Sequence, residues 1–297
     1  MILITGAAGK TGKAILQALV QKGQLVKALV FRSEQLQEVE ALGANEVVVG
    51  DMRDSNFLRR AIQGVNSIYH ICPNVHLDEI SIGQDMIRSA AVVGISHFVF
   101  HSVLHPQIQG MPHHWKKLLV EEQLCESGLP FTILQPAAYM QNILPNWKNI
   151  IETGKYTVPY AVESRLSMVD LEDVALAAAA VLMEVDPENN QPLHNGATYE
   201  LVGTPAISQT QVASILSKQL GRRVTAESIP INVWVSRART SGLGDYQVNT
   251  LVKMFDYYEK YDFWGDSHVL SWLLNRPPTS FETFVKRTIA ESQTFAG

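Results

Sequence analysis

Six short runs rich in β-branched and aromatic residues alternate with amphipathic stretches through the first half of the chain. They are MILIT at 1–5, LVKALVF at 25–31, EVVVGD at 46–51, SIYHIC at 67–72, HFVFHSV at 97–103 and FTILQP at 131–136. Strands that run in the same direction need a long crossover between them, which a helix supplies. Repeated this regularly, the pattern confines the first half to an α/β fold of the Rossmann type, a doubly wound parallel sheet with helices on both faces. The first helical stretch, 11–22, sets Ile15, Leu16, Leu19 and Val20 on one side and stops at Gly23, which suits a helix C-cap.

The alternation ends after about residue 154. Strand candidates follow at 156–160 and 198–202, and a helix from Ser208 to Leu220 has a good N-cap in Ser208 and a good C-cap in Gly221. The sequence therefore predicts a nucleotide-binding domain over 1–154 and a smaller C-terminal α+β domain over 155–297. The stretch 168–183, MVDLEDVALAAAAVLM, is apolar on most sides and is expected to return to the first domain.

A net charge of -5 gives no general affinity for a phosphate backbone, so direct nucleic-acid binding is not expected. The two cysteines, Cys72 and Cys125, offer no disulfide framework and suit a reducing compartment. No apolar run reaches the roughly 18 residues that span a bilayer, and the first residues lack the pattern of a signal peptide. A cytoplasmic protein without membrane attachment is expected.

The first strand runs into TGAAGKTG, residues 5–12. Glycine between a strand and a helix lets the chain reverse tightly and lets backbone N–H groups approach an anion, while the helix dipole favours negative charge there. Gly6, Ala8, Gly9, Lys10, Thr11 and Gly12 are thus candidate contacts for the pyrophosphate of a dinucleotide. The end of the second strand chooses between cofactors, since an acid binds the adenosine ribose hydroxyls and an arginine pairs with a 2′-phosphate. Arg32 stands there and favours NADP(H), with Lys10 as a second positive charge. At the third strand's end Asp51 is placed to accept from the adenine amino group and Met52 to cover a ring face. Pro73 and Asn74, after the fourth strand, are expected beneath the nicotinamide ribose.

These segments, taken in order, resemble the NmrA-like family of atypical short-chain dehydrogenases/reductases. The resemblance rests on TGAAGKTG, FRSE, GDMRD and HFVFHSV. It continues in KKLLVEEQLCESGLPFTILQPAAYMQNIL from 116, MVDLEDVA from 168, YELVG at 199–203 and NRPPTSFETFV near the end, and so covers nearly the whole chain. It implies an NADP-binding domain, a small C-terminal domain and a cleft between them. Relatives include quinone and triphenylmethane-dye reductases, and others are redox sensors that bind NADP and act on a protein partner. The wider superfamily uses a serine after the fifth strand and a Tyr-x-x-x-Lys pair on the next helix. Ser102 matches the serine. Lys117 matches the lysine, which binds the nicotinamide ribose, with Glu121 at the family's spacing. His113 occupies the tyrosine position, and with an ordinary pKa near 6.5 it is a candidate proton donor. A second departure is Gln135, where relatives usually carry arginine.

Nine histidines invite a metal site, but His97, His101, His105, His113 and His114 lack a carboxylate or cysteine at ligand spacing, so none is expected. No Gly-x-Ser-x-Gly elbow is present. Trp115, Tyr139, Trp147, Trp234 and Trp264 could line an aromatic pocket, and Tyr139 and Met140 follow a strand end, where such folds take ligands. The sequence thus predicts an NADPH-dependent reductase of a quinone-like or other small aromatic acceptor in the interdomain cleft, using Ser102, His113 and Lys117. The alternative is a non-catalytic NADP(H) sensor. A protein partner or a second copy of the chain is left open.

Overall fold

The computed structural model describes residues Met1–Thr294. Strands β1 (Ile2–Ile4), β2 (Val26–Val30), β3 (Glu46–Val49), β4 (Ser67–His70), β5 (His97–His101) and β6 (Phe131–Pro136) alternate with helices α1 (Lys10–Gln21), α2 (Leu36–Ala41), α3 (Ser55–Ala61), α4 (Glu79–Val93) and α5 (Pro112–Glu126). The later elements are β7 (Ala138–Tyr139), α6 (Trp147–Thr153), β8 (Lys155–Val158), β9 (Arg165–Leu166), β10 (Met168–Val169), α7 (Leu171–Met183), β11 (Ala197–Leu201), β12 (Ile207–Ser208), α8 (Gln209–Leu220), β13 (Thr225–Ser228), α9 (Ile231–Thr240), α10 (Asp245–Tyr261), α11 (His268–Leu274) and α12 (Phe281–Thr294).

The large sheet has seven strands in the order β11-β6-β5-β4-β1-β2-β3, and the pairings among β1 to β6 are all parallel. Strand β1 is interior and wholly buried, which is why its run is apolar at every position. The chain moves outward from β1 to β3 and then crosses back to β4. That reversal opens a crevice at the carboxyl ends of β1 and β4, where open α/β sheets bind ligands. On one face Leu3, Ile68, Phe98, Phe100 and Ile133 of the strands pack with Leu58, Ile82, Met86, Val120 and Leu124 of the helices. The strand expected at 198–202 is the sheet's edge, β11, beside β6. The expected helix at 168–183 opens with two strand residues, so α7 proper begins at Leu171. Among the described residues no helix is long and apolar enough to cross a membrane.

By contact density the chain forms two compact units, Met1–Gln109 with His113–Pro136 and Val174–Tyr199, and Gly110–Pro112 with Ala137–Asp173 and the residues from Glu200 on. The first unit holds β1 to β6. The second holds three two-stranded pairings, β7 with β10, β8 with β13 and β9 with β12, together with α6 and α8 to α12. Its aromatic cluster includes Tyr160 near Phe255 and Tyr258, with Trp234 edge-on to Phe255 at 4.7 Å between ring centroids.

Two fully buried carboxylates tie the second unit together. Asp170 accepts from Arg287 Nη2 at 2.7 Å, Gln141 Nε2 at 2.7 Å and the Glu172 N–H at 3.1 Å. Asp173 accepts from Arg276 Nη2 at 2.5 Å and the Thr279 N–H at 2.6 Å. The segment MVDLEDVA is therefore locked to NRPPTSFETFV through Arg276 and Thr279, and to Arg287 just beyond it. Removing one partner of a buried pair strands the other charge, typically at about 3–5 kcal/mol. Arg287→Met is expected to destabilise the protein by about 3 kcal/mol in urea unfolding. Adding Asp170→Asn should recover part of that loss, because no buried charge is then unpaired.

Candidate active site

The glycine loop is built as a cradle. Gly6 has φ +58°, in the left-handed region, and its carbonyl accepts from the Gly9 N–H at 3.0 Å. Gly9 caps α1, and a Cβ placed on Gly12 would lie 2.3 Å from the Gly6 carbonyl and 2.7 Å from Ala7 Cα. Only glycine lets the first turn of α1 close down on the loop. That turn carries no acidic residue, and the positive end of the α1 dipole opens onto the loop, so the cradle fits a pyrophosphate. Gly9 and Lys10 are exposed, Ala8 is half-buried, and Thr11 and Gly12 are buried. Thr5 fastens the cradle to β4: its Oγ1 donates to the Ile71 carbonyl at 3.0 Å and accepts from the Ile71 N–H at 2.8 Å, and it lies 3.0 Å from His70 Nδ1.

Arg32 lies two residues beyond β2 and is exposed. Its backbone is held by Gln35, whose Oε1 accepts from the Phe31 and Arg32 N–H groups at 3.2 and 3.0 Å. The guanidinium has no protein partner among the described residues, which suits an incoming phosphate. Strand β3 runs beside β2, so Asp51 ends near it. Asp51, the expected acceptor for an adenine amino group, is gripped by Arg53 at both carboxylate oxygens, with Nη2 to Oδ2 at 2.6 Å and Nε to the two oxygens at 3.0 and 3.1 Å. Hydrogen bonds from the Arg53 side chain hold the Asp51 carboxyl below its usual pKa. The pair was visible locally, as acid and arginine two residues apart in DMRD. Met52 is turned into the apolar core at 8% exposure and presents little surface to a ring. Pro73 and Asn74 are exposed just past β4.

The ends of β5 and α5 carry the rest. Lys117 Nζ lies 2.7 Å from Glu79 Oε1 on α4, donates to the His101 carbonyl at 3.2 Å, and sits 5.3 Å from the centre of the Phe100 ring. Glu79 belongs to no motif, so nothing in the sequence marked it. Ser102 is buried and donates its hydroxyl to Glu121, one turn after Lys117 on α5, while Gln135 Nε2 donates to both Glu121 oxygens at 3.0 and 3.1 Å. Burial raises the Glu121 pKa, against those hydrogen bonds. Gln135 thus supplies a neutral partner where an arginine would supply a charge, and Ser102 is committed to Glu121.

His113, the expected proton donor, has a pKa well away from its ordinary value. Burial, and then the Lys117 ammonium, lower its pKa to about 4, so at neutral pH it is an uncharged imidazole. Such a ring forms hydrogen bonds but has no acidic proton to release near pH 7. Its Nδ1 is buried with no hydrogen-bond partner among the described residues, and the ring stands edge-on to His114 with centroids 4.4 Å apart. His97 Nε2 is 2.8 Å from Thr132 Oγ1, and His101 Nδ1 is 2.7 Å from the Tyr69 hydroxyl. Among the described residues no three His, Cys, Asp or Glu side chains cluster as metal ligands.

The five aromatics proposed for a pocket do not form one group. Trp115 belongs to the first unit, Tyr139, Trp147, Trp234 and Trp264 belong to the second, and Trp264 is 65% exposed. Tyr139 is half-buried in β7, whereas Met140 is fully buried at the start of a 3-10 turn, Met140–Asn146, and does not face solvent.

A parallel sheet with a glycine cradle and a half-buried lysine at its strand ends defines a dinucleotide-binding class of fold. The chain belongs to the NmrA-like family, whose match runs over residues 1–286. It is 28% identical over 283 residues to quinone oxidoreductase 2 of Escherichia coli, covering 94% of this chain and 96% of that one. It is 26% identical over 288 residues to an NAD(P)H azoreductase of Xenophilus azovorans, covering 96% and 97%. Among solved structures, an NADPH complex of an E. coli NADPH-dependent quinone oxidoreductase superposes with a TM-score of 0.83 at 26% identity, covering 97% of this chain and all of the other.

Proposed function

We propose that this chain is an NADPH-dependent oxidoreductase that reduces a quinone-like or other small aromatic acceptor. One observation carries the reading: a pyrophosphate cradle and a fixed ammonium, Lys117, converge at the carboxyl ends of β1 and β5. The names of the similar quinone and azo reductases support it. We assign the dinucleotide to the span 1–154 and acceptor recognition to the remainder. NADPH supplies the hydride. The residues Gly6, Ala8, Gly9, Lys10, Thr11 and Gly12 hold the pyrophosphate, Arg32 the 2′-phosphate, and Asp51 and Pro73 flank the adenosine and nicotinamide ends. Lys117 holds the nicotinamide ribose. Ser102 acts by keeping Glu121 and α5 in register.

Because His113 is uncharged at neutral pH, the proton that accompanies reduction comes from solvent. This suits an acceptor whose reduced form is stable as an anion, as a quinone's is. A pH profile of turnover is expected to show no inflection from His113 between pH 6 and 8. An inflection near 6.5 that disappears in His113→Asn would contradict the assignment. The reading itself is tested by NADPH consumption with panels of quinones, azo dyes and triphenylmethane dyes. Oxidation that depends on one of these acceptors is expected, and tight NADPH binding without consumption would favour a sensor. For cofactor choice, Arg32→Ala should weaken NADPH about 30-fold, the value of a bidentate charge-assisted contact, and leave NADH unchanged. Titration of both nucleotides checks this.

A further inference from the structure

The geometry points to Glu79 as the positioning residue for Lys117, fixing the ammonium that meets the nicotinamide ribose; this deepens the reading above and rests on it. Glu79 is the first residue of α4 and 2% exposed, and its Oε1 lies 2.7 Å from Lys117 Nζ. A second donor of the same ammonium goes to the His101 carbonyl at 3.2 Å. An ammonium has three donors, so one remains for a ligand hydroxyl. The lysine side chain is 15% exposed, so that donor is close to solvent and the cofactor crevice.

Stability alone does not account for the pair. A buried ion pair adds little or nothing over apolar residues of the same volume, because desolvation offsets the attraction. What the pair gives is a fixed point on a side chain that otherwise samples many rotamers. The neighbouring acid, Asp78, is 41% exposed and lies 4.0 Å from Arg53, so it is not the partner. Four residues along the same face of α5, Glu121 is held in turn by Ser102 and Gln135. The helix that carries Lys117 is thus tied at successive turns, and at Lys117 the tie is Glu79.

The test compares two ligands by calorimetry: NADPH, and adenosine 2′,5′-bisphosphate, which keeps the 2′-phosphate but has no nicotinamide ribose. Glu79→Gln is expected to weaken NADPH about 10-fold, the value of one charge-assisted hydrogen bond, and to leave the bisphosphate unchanged. Glu79→Gln combined with Lys117→Met removes both charges together and should bind NADPH no more weakly than Lys117→Met alone. Wild-type NADPH affinity in Glu79→Gln, or an equal loss of both ligands, would overturn the assignment. A wild-type protein that binds neither ligand would overturn the cofactor reading and this inference with it.

Discussion

Between pH 6.5 and 5 the protein is expected to lose stability at a rate approaching about 5 kcal/mol per pH unit. Burial lowers the pKa of His70 and His101 to about 3, and of His97 and His113 to about 4. In the unfolded chain each returns to about 6.5. Between those values the unfolded state binds protons that the folded state refuses, so stability is fully present above about 6.5 and falls as the pH drops. Each such histidine contributes up to about 1.4 kcal/mol per pH unit, and a whole domain holds only about 5–15 kcal/mol. Glu121 and Glu172, whose pKa values are raised, work in the opposite direction, but they are two groups against these four histidines and His114, which burial also lowers. Urea unfolding at pH 7.5, 6 and 5 checks this. A midpoint unchanged down to pH 5 would mean that these rings are not held neutral by burial.

Gly12→Ala is expected to weaken NADPH binding at least about 100-fold, the loss of two charge-assisted hydrogen bonds. The new Cβ would lie 2.3 Å from the Gly6 carbonyl, a backbone atom that cannot swing aside. Relief requires the first turn of α1 to lift from the loop, and the pyrophosphate then loses the N–H groups it needs. Gly23→Ala is a useful contrast: no atom lies within 4 Å of its added Cβ, and although φ there is +74°, it sits at the far end of α1. It should cost stability only. Comparing NADPH affinity and unfolding midpoint for the two variants separates cradle geometry from general damage.

The large sheet was legible because its signal is local and repeated: six apolar runs, each with a helix-length spacer. The glycine cradle was legible for the same reason, since Gly6, Gly9 and Gly12 share one turn. Arg32 was found by its distance from the loop along a strand. What stayed hidden depends on residues far apart in the chain. Glu79 and Lys117 are 38 positions apart, and no periodicity links them. The fall in the His113 pKa comes from burial and from the Lys117 ammonium, neither of which a residue type reveals. The pair of Asp173 with Arg276 joins two quoted motifs, and that of Asp170 with Arg287 reaches just past the second, partnerships that only folding shows. Asp51 differs from these, because its partner Arg53 stands two residues away and the chelate could have been read from the sequence.

Hydride transfer itself is the most direct test of the central claim. Enzyme loaded with NADPH deuterated at the transferring carbon is mixed with a quinone in a stopped-flow instrument, and the oxidation rate is compared with that of unlabelled NADPH. Quinone-dependent oxidation that slows with deuterium is expected, with the label recovered in the acceptor or exchanged to solvent from its hydroxyl. Stoichiometric NADPH binding with no oxidation by any quinone, azo or triphenylmethane acceptor would contradict it.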